Sequence, residues 1–231
     1  MTSRADLSDR RAHSSHRGGR GACHFRARTG GDSRGIEDEV VGLLAARAPR
    51  LDRALKKIAR TGGGIVLMDG SLIRTRRRTG KDNRKNYSGK SKCHGLLVIA
   101  LTDDRGRLLW VSAARAGRTS EITACRHEKL TTRLRAAGLA AIADLGFVGL
   151  DDSDPDADPA VITGCRAARN LPLSRGQKFS NKTLAAVRPP VEHGFAHLKN
   201  WRVLAKVRTD PRWATALVRA LLVLTNREVS R

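Results

Sequence analysis

The chain is poor in aromatic residues and cysteine and has no long apolar run, and each shortage closes off a class of protein. Aromatics make up 3% of the 231 residues, too few for the stacking surface of a single-strand-binding protein. The four cysteines, Cys23, Cys93, Cys125 and Cys165, are far apart and share no paired metal-ligand spacing. They read as free thiols of a reducing compartment, and the adjacency of Cys93 and His94 is only a weak metal signal. No stretch approaches the roughly 20 consecutive apolar residues of a membrane span. The opening "MTSRADLSDRRAHSSHRGGR" has no apolar centre of the kind a secretory signal needs. The expectation is a cytoplasmic protein with no membrane partner.

What the chain does have is positive charge. Lys and Arg number 45 against 22 Asp and Glu, a formal net charge of +23. Such an excess concentrates a protein on polyanions, and nucleic acid held through its phosphates is the leading partner. The hydrophobic fraction of 40% suffices for one globular core.

Three regions differ in character. Residues 1–35 are rich in Arg, Ser and Gly without apolar periodicity, and are expected to be a disordered basic segment. Residues 36–61 carry Val40, Val41, Leu43, Leu44, Leu51, Leu55 and Ile58 at helical spacings, divided by Pro49 into two helices. Residues 62–231 read as mixed α/β. Strands are expected at Ile65–Met68, from Gly95, from Gly106, at 139–144 and at 160–165. A hairpin turn is expected at Asp103–Gly106, and one helix from Ser120 to Gly138. "LSRGQKFSN" at 173–181 reads as a basic loop. Two helices close the chain, one around Glu192 and one from Pro211 with Asp210 as its cap. The order implies an antiparallel meander joined by parallel strands into one mixed sheet, with helices on both faces. Trp110, Trp201 and Trp213 sit among aliphatic residues and read as packing anchors.

Two of the expected strands end on an acid followed by a glycine-containing turn, "MDGS" at Asp69 and "ADLGF" at Asp144. A helical acid, Glu192 in "RPPVEHGFAHLKNWRVL", is the candidate third member. Three oxygen donors around one crevice suit one or two Mg²⁺ ions. Two such ions polarise a phosphodiester and stabilise its leaving oxygen. Taken singly, each aspartate has an ordinary reading as a turn former or helix cap.

The blocks "VLMDGSLIRTRR", "NYSGKSKCHGLLV", "DDRGRLLWVSAARAGRTSEITA", "AIADLGFVG" and "RPPVEHGFAHLKNWRVL" together resemble the DDE transposases of bacterial insertion sequences. The acids lie 75 and 48 positions apart (69 to 144, 144 to 192), in the family's order. The resemblance implies an RNase H-like catalytic core and a triad of Asp69, Asp144 and Glu192. It also implies Mg²⁺ or Mn²⁺, as two ions, and double-stranded DNA as partner, with a homo-oligomer in the DNA complex. Arg188 and Lys199 match the basic positions flanking the family's glutamate. Arg74, Arg76, Tyr87, Lys90, Lys92 and His94 are the further candidate DNA contacts. Residues 36–61 would be the remnant of an N-terminal DNA-binding region, as in a truncated or frameshifted member, in a bacterial cytoplasm. Leu145 departs from the basic or polar residue expected after the second aspartate. The alternatives are an inactive, transposon-derived basic DNA-binding protein and an RNase H-like nuclease acting on branched or hybrid substrates.

Overall fold

The computed structural model describes residues 32–76, 81–151, 158–208 and 210–229. Most of the segment expected to be disordered, residues 1–31, and most of the acidic loop at 151–159 lie outside them. Two helices open the described chain, α1 (Asp32–Ala46) and α2 (Leu51–Arg60), separated at Pro49 as expected. They are part of the fold rather than an appendage. Leu51, Ala54 and Leu55 of α2 lie in the core beneath the sheet, and Trp213 Nε1 donates to Asp38 of α1 at 2.9 Å.

The sheet has seven strands: β1 (Ile65–Arg74), β2 (Tyr87–Ser88), β3 (Cys93–Thr102), β4 (Leu108–Val111), β5 (Arg115–Ala116), β6 (Ala140–Ile142) and β7 (Val161–Ile162). β1 lies between β3, antiparallel, and β6, parallel. β7 extends the parallel side. The far edge of β3 is covered in turn by β2, β5 and β4. The result is an α/β fold with a mixed sheet, antiparallel meander plus parallel strands, flanked by helices, consistent with an RNase H-like architecture.

Both faces of the sheet are covered, which is why β1 and β3 read as near-continuous apolar runs instead of alternating ones. Val66 and Met68 face α2, α3 (Glu121–His127) and α4 (Leu130–Ala136). Leu67, Ile73, Val98 and Ala100 face α6 (Pro189–Lys199) and α7 (Pro211–Val229). Trp110 is buried, and Trp201 Nε1 donates to Thr225 at 2.9 Å, so the tryptophans do anchor packing.

Four expectations need correction. β1 runs on to Arg74, so Asp69 stands in mid-strand and not at a strand end. The strand expected through Asp144 stops at Ile142. The single helix from Ser120 breaks in two at Glu128 and Lys129, where Lys129 takes a left-handed conformation (φ 52°). The "basic loop" at 173–181 is instead the start of a helix, α5 (Arg175–Ala186). Ser174 caps it by accepting the N–H of Gln177, whose side chain accepts the N–H of Ser174. That reciprocal pair is the S-x-x-Q signature of a helix start, and the positive charge of the segment hid it.

Candidate active site

Register sets the two aspartates side by side. Leu67 of β1 pairs in parallel with Ile142 of β6, and both side chains enter the core under α6. Side chains alternate along a strand, so two residues further in each chain return to the same face. Those residues are Asp69 and Asp144. β6 has ended by then, and the missing neighbour leaves a crevice beside β1. The crevice wall is fixed from below by Phe147, fully buried at the end of the 3-10 turn Leu145–Phe147. Truncating a ring so placed costs about 3–5 kcal/mol.

Each aspartate is held by the glycine that follows it. The N–H of Gly70 donates to Asp69 Oδ1 at 2.8 Å, and the N–H of Gly146 donates to Asp144 Oδ1 at 2.7 Å. The glycines also make room for a further acid. A Cβ at Gly70 would lie 2.8 Å from Glu121 Oε1, and one at Gly146 would run into Glu121 Oε2 and lie 2.7 Å from Asp144 Oδ1. Glu121 therefore lies against the glycine that follows each aspartate, reaching there from the first turn of α3, which Ser120 caps by accepting the N–H of Thr123 at 3.1 Å. Sequence reasoning passed over it. An acid in a helix's first turn has a sufficient explanation in the helix dipole, and only the fold brings it to this crevice.

The electrostatics follow from this crowding. Burial pushes Asp69 up from 3.8 to about 6, and the charges of Asp144 and Glu121 push the same way, while the Gly70 N–H and Arg188 oppose them. Lys90 balances the acids. Its ammonium lies 2.9 and 3.2 Å from the two Glu121 oxygens. Burial alone would lower its proton affinity, yet Glu121, Asp144 and Asp69 together raise it. Gly70, Lys90, Glu121 and Gly146 line a hollow of about 340 Å³ that also takes in Arg118 and Ser91.

The other expected residues are distributed as follows. Arg188, at the N-cap of α6, brings its guanidinium to 3.7 Å from Asp69 Oδ2 and leaves a buried Nε with no hydrogen-bond partner. Pro189 and Pro190 form the first turn, and Glu192 follows there, exposed, one turn beyond Arg188 on the same face. The helix is brought close to the sheet by glycines. Gly106, at φ +80° in the β3–β4 turn, and Gly194 leave no space for a Cβ against Pro190 and Gly106 backbone respectively. Lys199 is at the far end of α6, with its ammonium 5.8 Å over the Phe195 ring. Tyr87 and His94 are cross-strand partners with ring centroids 5.2 Å apart. With Arg84, Lys85 and Arg118 they line a separate basic hollow of about 740 Å³. Lys92 takes a left-handed conformation in the turn before β3 (φ 48°), and Arg74 and Arg76 are exposed where β1 leaves the sheet. Among the described residues, no group of three His, Cys, Asp or Glu side chains is already arranged to hold a metal ion.

The chain is 26% identical over 181 residues to a Streptomyces albus G protein that carries the name of transposase for insertion sequence element IS112. The match covers 77% of this chain and 62% of that protein, so the chain spans less than two thirds of its relative's length. No solved structure matches the chain. A family profile described as DDE superfamily endonuclease matches residues 68–226, from the residue before Asp69 to the last turns of α7, and the chain belongs to that family.

Proposed function

We propose that the chain is the catalytic part of an insertion-sequence transposase, which cuts DNA phosphodiesters and joins strands with the help of divalent metal ions. The reading is supported by the register of β1 and β6, which brings Asp69 and Asp144 to one face of the sheet, and by Arg188 of α6 at 3.7 Å from Asp69. The donor set fits Mg²⁺ or Mn²⁺. It offers hard carboxylate oxygens, and the pairing of Lys90 with the neighbouring Glu121 at 2.9 Å supports the reading of a cation-attracting surround. Asp69, Asp144 and Glu192 would hold the metal. When bound, two such ions would polarise the scissile phosphate and stabilise the leaving oxygen.

The chain's own residues then have distinct parts. Asp69 is half-buried, so its carboxylate is poorly solvated and gains more from a cation than an exposed acid would. Arg188 orients Asp69, and the exposed part of its guanidinium would donate to a phosphate oxygen. Arg74, Arg76, Lys92 and Lys199 contact the DNA backbone, with Tyr87 and His94 at the second basic hollow. Lys90 acts first on Glu121, and on phosphate only once released. Residues 36–61 help to support the sheet as well as marking where an end-binding region would join. The active species on DNA is a homo-oligomer in a bacterial cytoplasm. Among the described residues, no helix is long and apolar enough to cross a membrane.

Supercoiled-plasmid nicking in Mg²⁺ and in Mn²⁺ tests this reading. Wild type should nick, and Asp69→Asn should lose at least a hundredfold while binding DNA as tightly or more so. Equal nicking by both would refute the assignment of Asp69.

A further inference from the structure

α5 is built the wrong way round for a helix that only stabilises a fold. None of its residues is fully buried, and its inward contacts are Asn181 and Leu184, the latter packed against the core beneath α6 and α7. At about 100° per residue, Arg175, Lys178, Phe179 and Lys182 fall in one sector opposite Leu184. All four are exposed, Phe179 at 72%. The helix carries no acidic residue. A scattered exposed apolar residue is ordinary, but here a phenylalanine sits within a stripe of three cations.

The stripe is also tied to the acids. Asn181 Oδ1 accepts the N–H of Cys165 at 2.8 Å, and its Nδ2 donates to the Cys165 carbonyl at 2.9 Å. This two-way clamp fixes α5 to the chain leaving β7. A Cβ at neighbouring Gly164 would lie 2.6 Å from Asn181 Oδ1 and 3.1 Å from Leu145 Cδ2, so helix, loop and the residue after Asp144 are in close succession. At its other end α5 passes through Val187 directly to Arg188 and α6. The helix thus bridges the two segments that carry Asp144 and Glu192.

From this placement we propose that α5 is a DNA-contacting surface beside the catalytic crevice. Arg175, Lys178 and Lys182 bind successive phosphates, and Phe179 stacks on a base unpaired next to the cut. The inference rests on the transposase reading and adds to it the element that guides the strand. Charge selects the occupant. A polyanion complements the stripe, whereas a second copy of a chain with net charge +23 would be repelled by it. The scarcity of aromatics excludes a broad stacking platform, and a single ring needs only a single base.

The test is fluorescence anisotropy on the full chain across a salt series. The probes are a labelled duplex and the same duplex with two unpaired bases at its centre. The variants are Arg175→Ala/Lys178→Ala/Lys182→Ala together and Phe179→Ala alone, with circular dichroism and melting curves to verify folding. The triple variant should lose roughly tenfold or more in affinity for both probes. Its log–log salt slope should be shallower by about 2.7, as expected for three lost phosphate contacts. Phe179→Ala should bind the duplex normally and lose about tenfold on the unpaired probe. If wild type binds and the triple variant matches it in affinity and slope, the interface is overturned while the transposase reading stands. If Phe179→Ala matches wild type on both probes, the stacking role is overturned. If wild type binds neither probe at low salt, the transposase reading fails and takes the interface with it.

Discussion

Replacing Asp69 by Asn should stabilise the folded protein while disabling it. The carboxyl is raised from 3.8 to about 6, mainly by burial, so the fold binds this proton more tightly than the unfolded chain does. For such a group the fold is favoured below the unfolded value, near pH 3.8. That advantage is lost as pH rises through about 6, and beyond it the cost is constant. Two units at 1.36 kcal/mol each give about 3 kcal/mol at neutral pH. The side chain is 18% exposed, so solvent screening reduces this only moderately, to an expected 1–3 kcal/mol or so. Asn escapes the cost because it carries no charge, and its Oδ1 can still accept the Gly70 N–H. The attraction of Arg188 is lost, but it already counts against the net shift.

Thermal unfolding in EDTA, at pH 4 and at pH 7.5, measures the effect. For a chain of this size a gain of that order raises the melting temperature by about 3–10 °C. The gap between variant and wild type should be small at pH 4 and open between pH 4 and 6.5. Adding Mg²⁺ at pH 7.5 should narrow it, because only wild type keeps the full set of ligands. A variant less stable than wild type at pH 7.5, or a gap of equal size at both pH values, would refute the claim that Asp69 is held in an unfavourable state.

Gly146→Ala should drive Glu121 and Asp144 apart, since the added Cβ meets both carboxylates. Nicking should fall at least tenfold with the melting temperature changed by only a few degrees; unchanged nicking would mean that the position of Glu121 is immaterial. Lys90→Met should tighten Mn²⁺ binding in an EPR titration, because it removes the ammonium that balances Glu121, and should reduce the DNA salt slope by about 0.9. Unchanged Mn²⁺ affinity would show that Lys90 does not compete for the acids. Cys125, fully buried against Met68 and pushed up to about 12 by burial, should resist alkylation at pH 8 until the protein unfolds. Rapid labelling in the native state, read by mass spectrometry, would contradict that packing.

How much of this was legible beforehand depended on the range of the cause. The apolar runs of β1 and β3, the Asp103–Gly106 turn and the proline-led start of α6 are local signals, and each was read from its own few residues. Here Asp103 accepts the N–H groups of Arg105 and Arg107, as such a turn requires. β2 and β5 were missed because they are two residues each and exist only through pairing with β3. α5 reads as a loop from its charge, although Ser174 and Gln177 carry the local capping signal of a helix start. Glu121 could not have been singled out at all. Its role depends on two glycines 51 and 25 positions away (70 and 146) that come together only after β1 and β6 pair.

The mid-strand position of Asp69 carries a physical cost. An acid at a strand end is cheap, because the chain there is leaving the core and water is near. An acid in mid-strand, with β1 continuing for five more residues to Arg74, has to be tolerated by the sheet itself. The fold manages this by ending β6 at Ile142, which opens one side of β1 at Asp69 and spares the carboxylate full burial. The same interruption lets Asp144 and Glu121 reach the gap. A strand shortened to admit one costly charge thus leaves Asp69 within reach of the charges of Asp144 and Glu121, a repulsion that a divalent cation would relieve under the proposed function. Under the proposed function, the cost carried by Asp69 and the capacity for metal-assisted chemistry would be one property of this site, and a substitution that cures the first should remove the second.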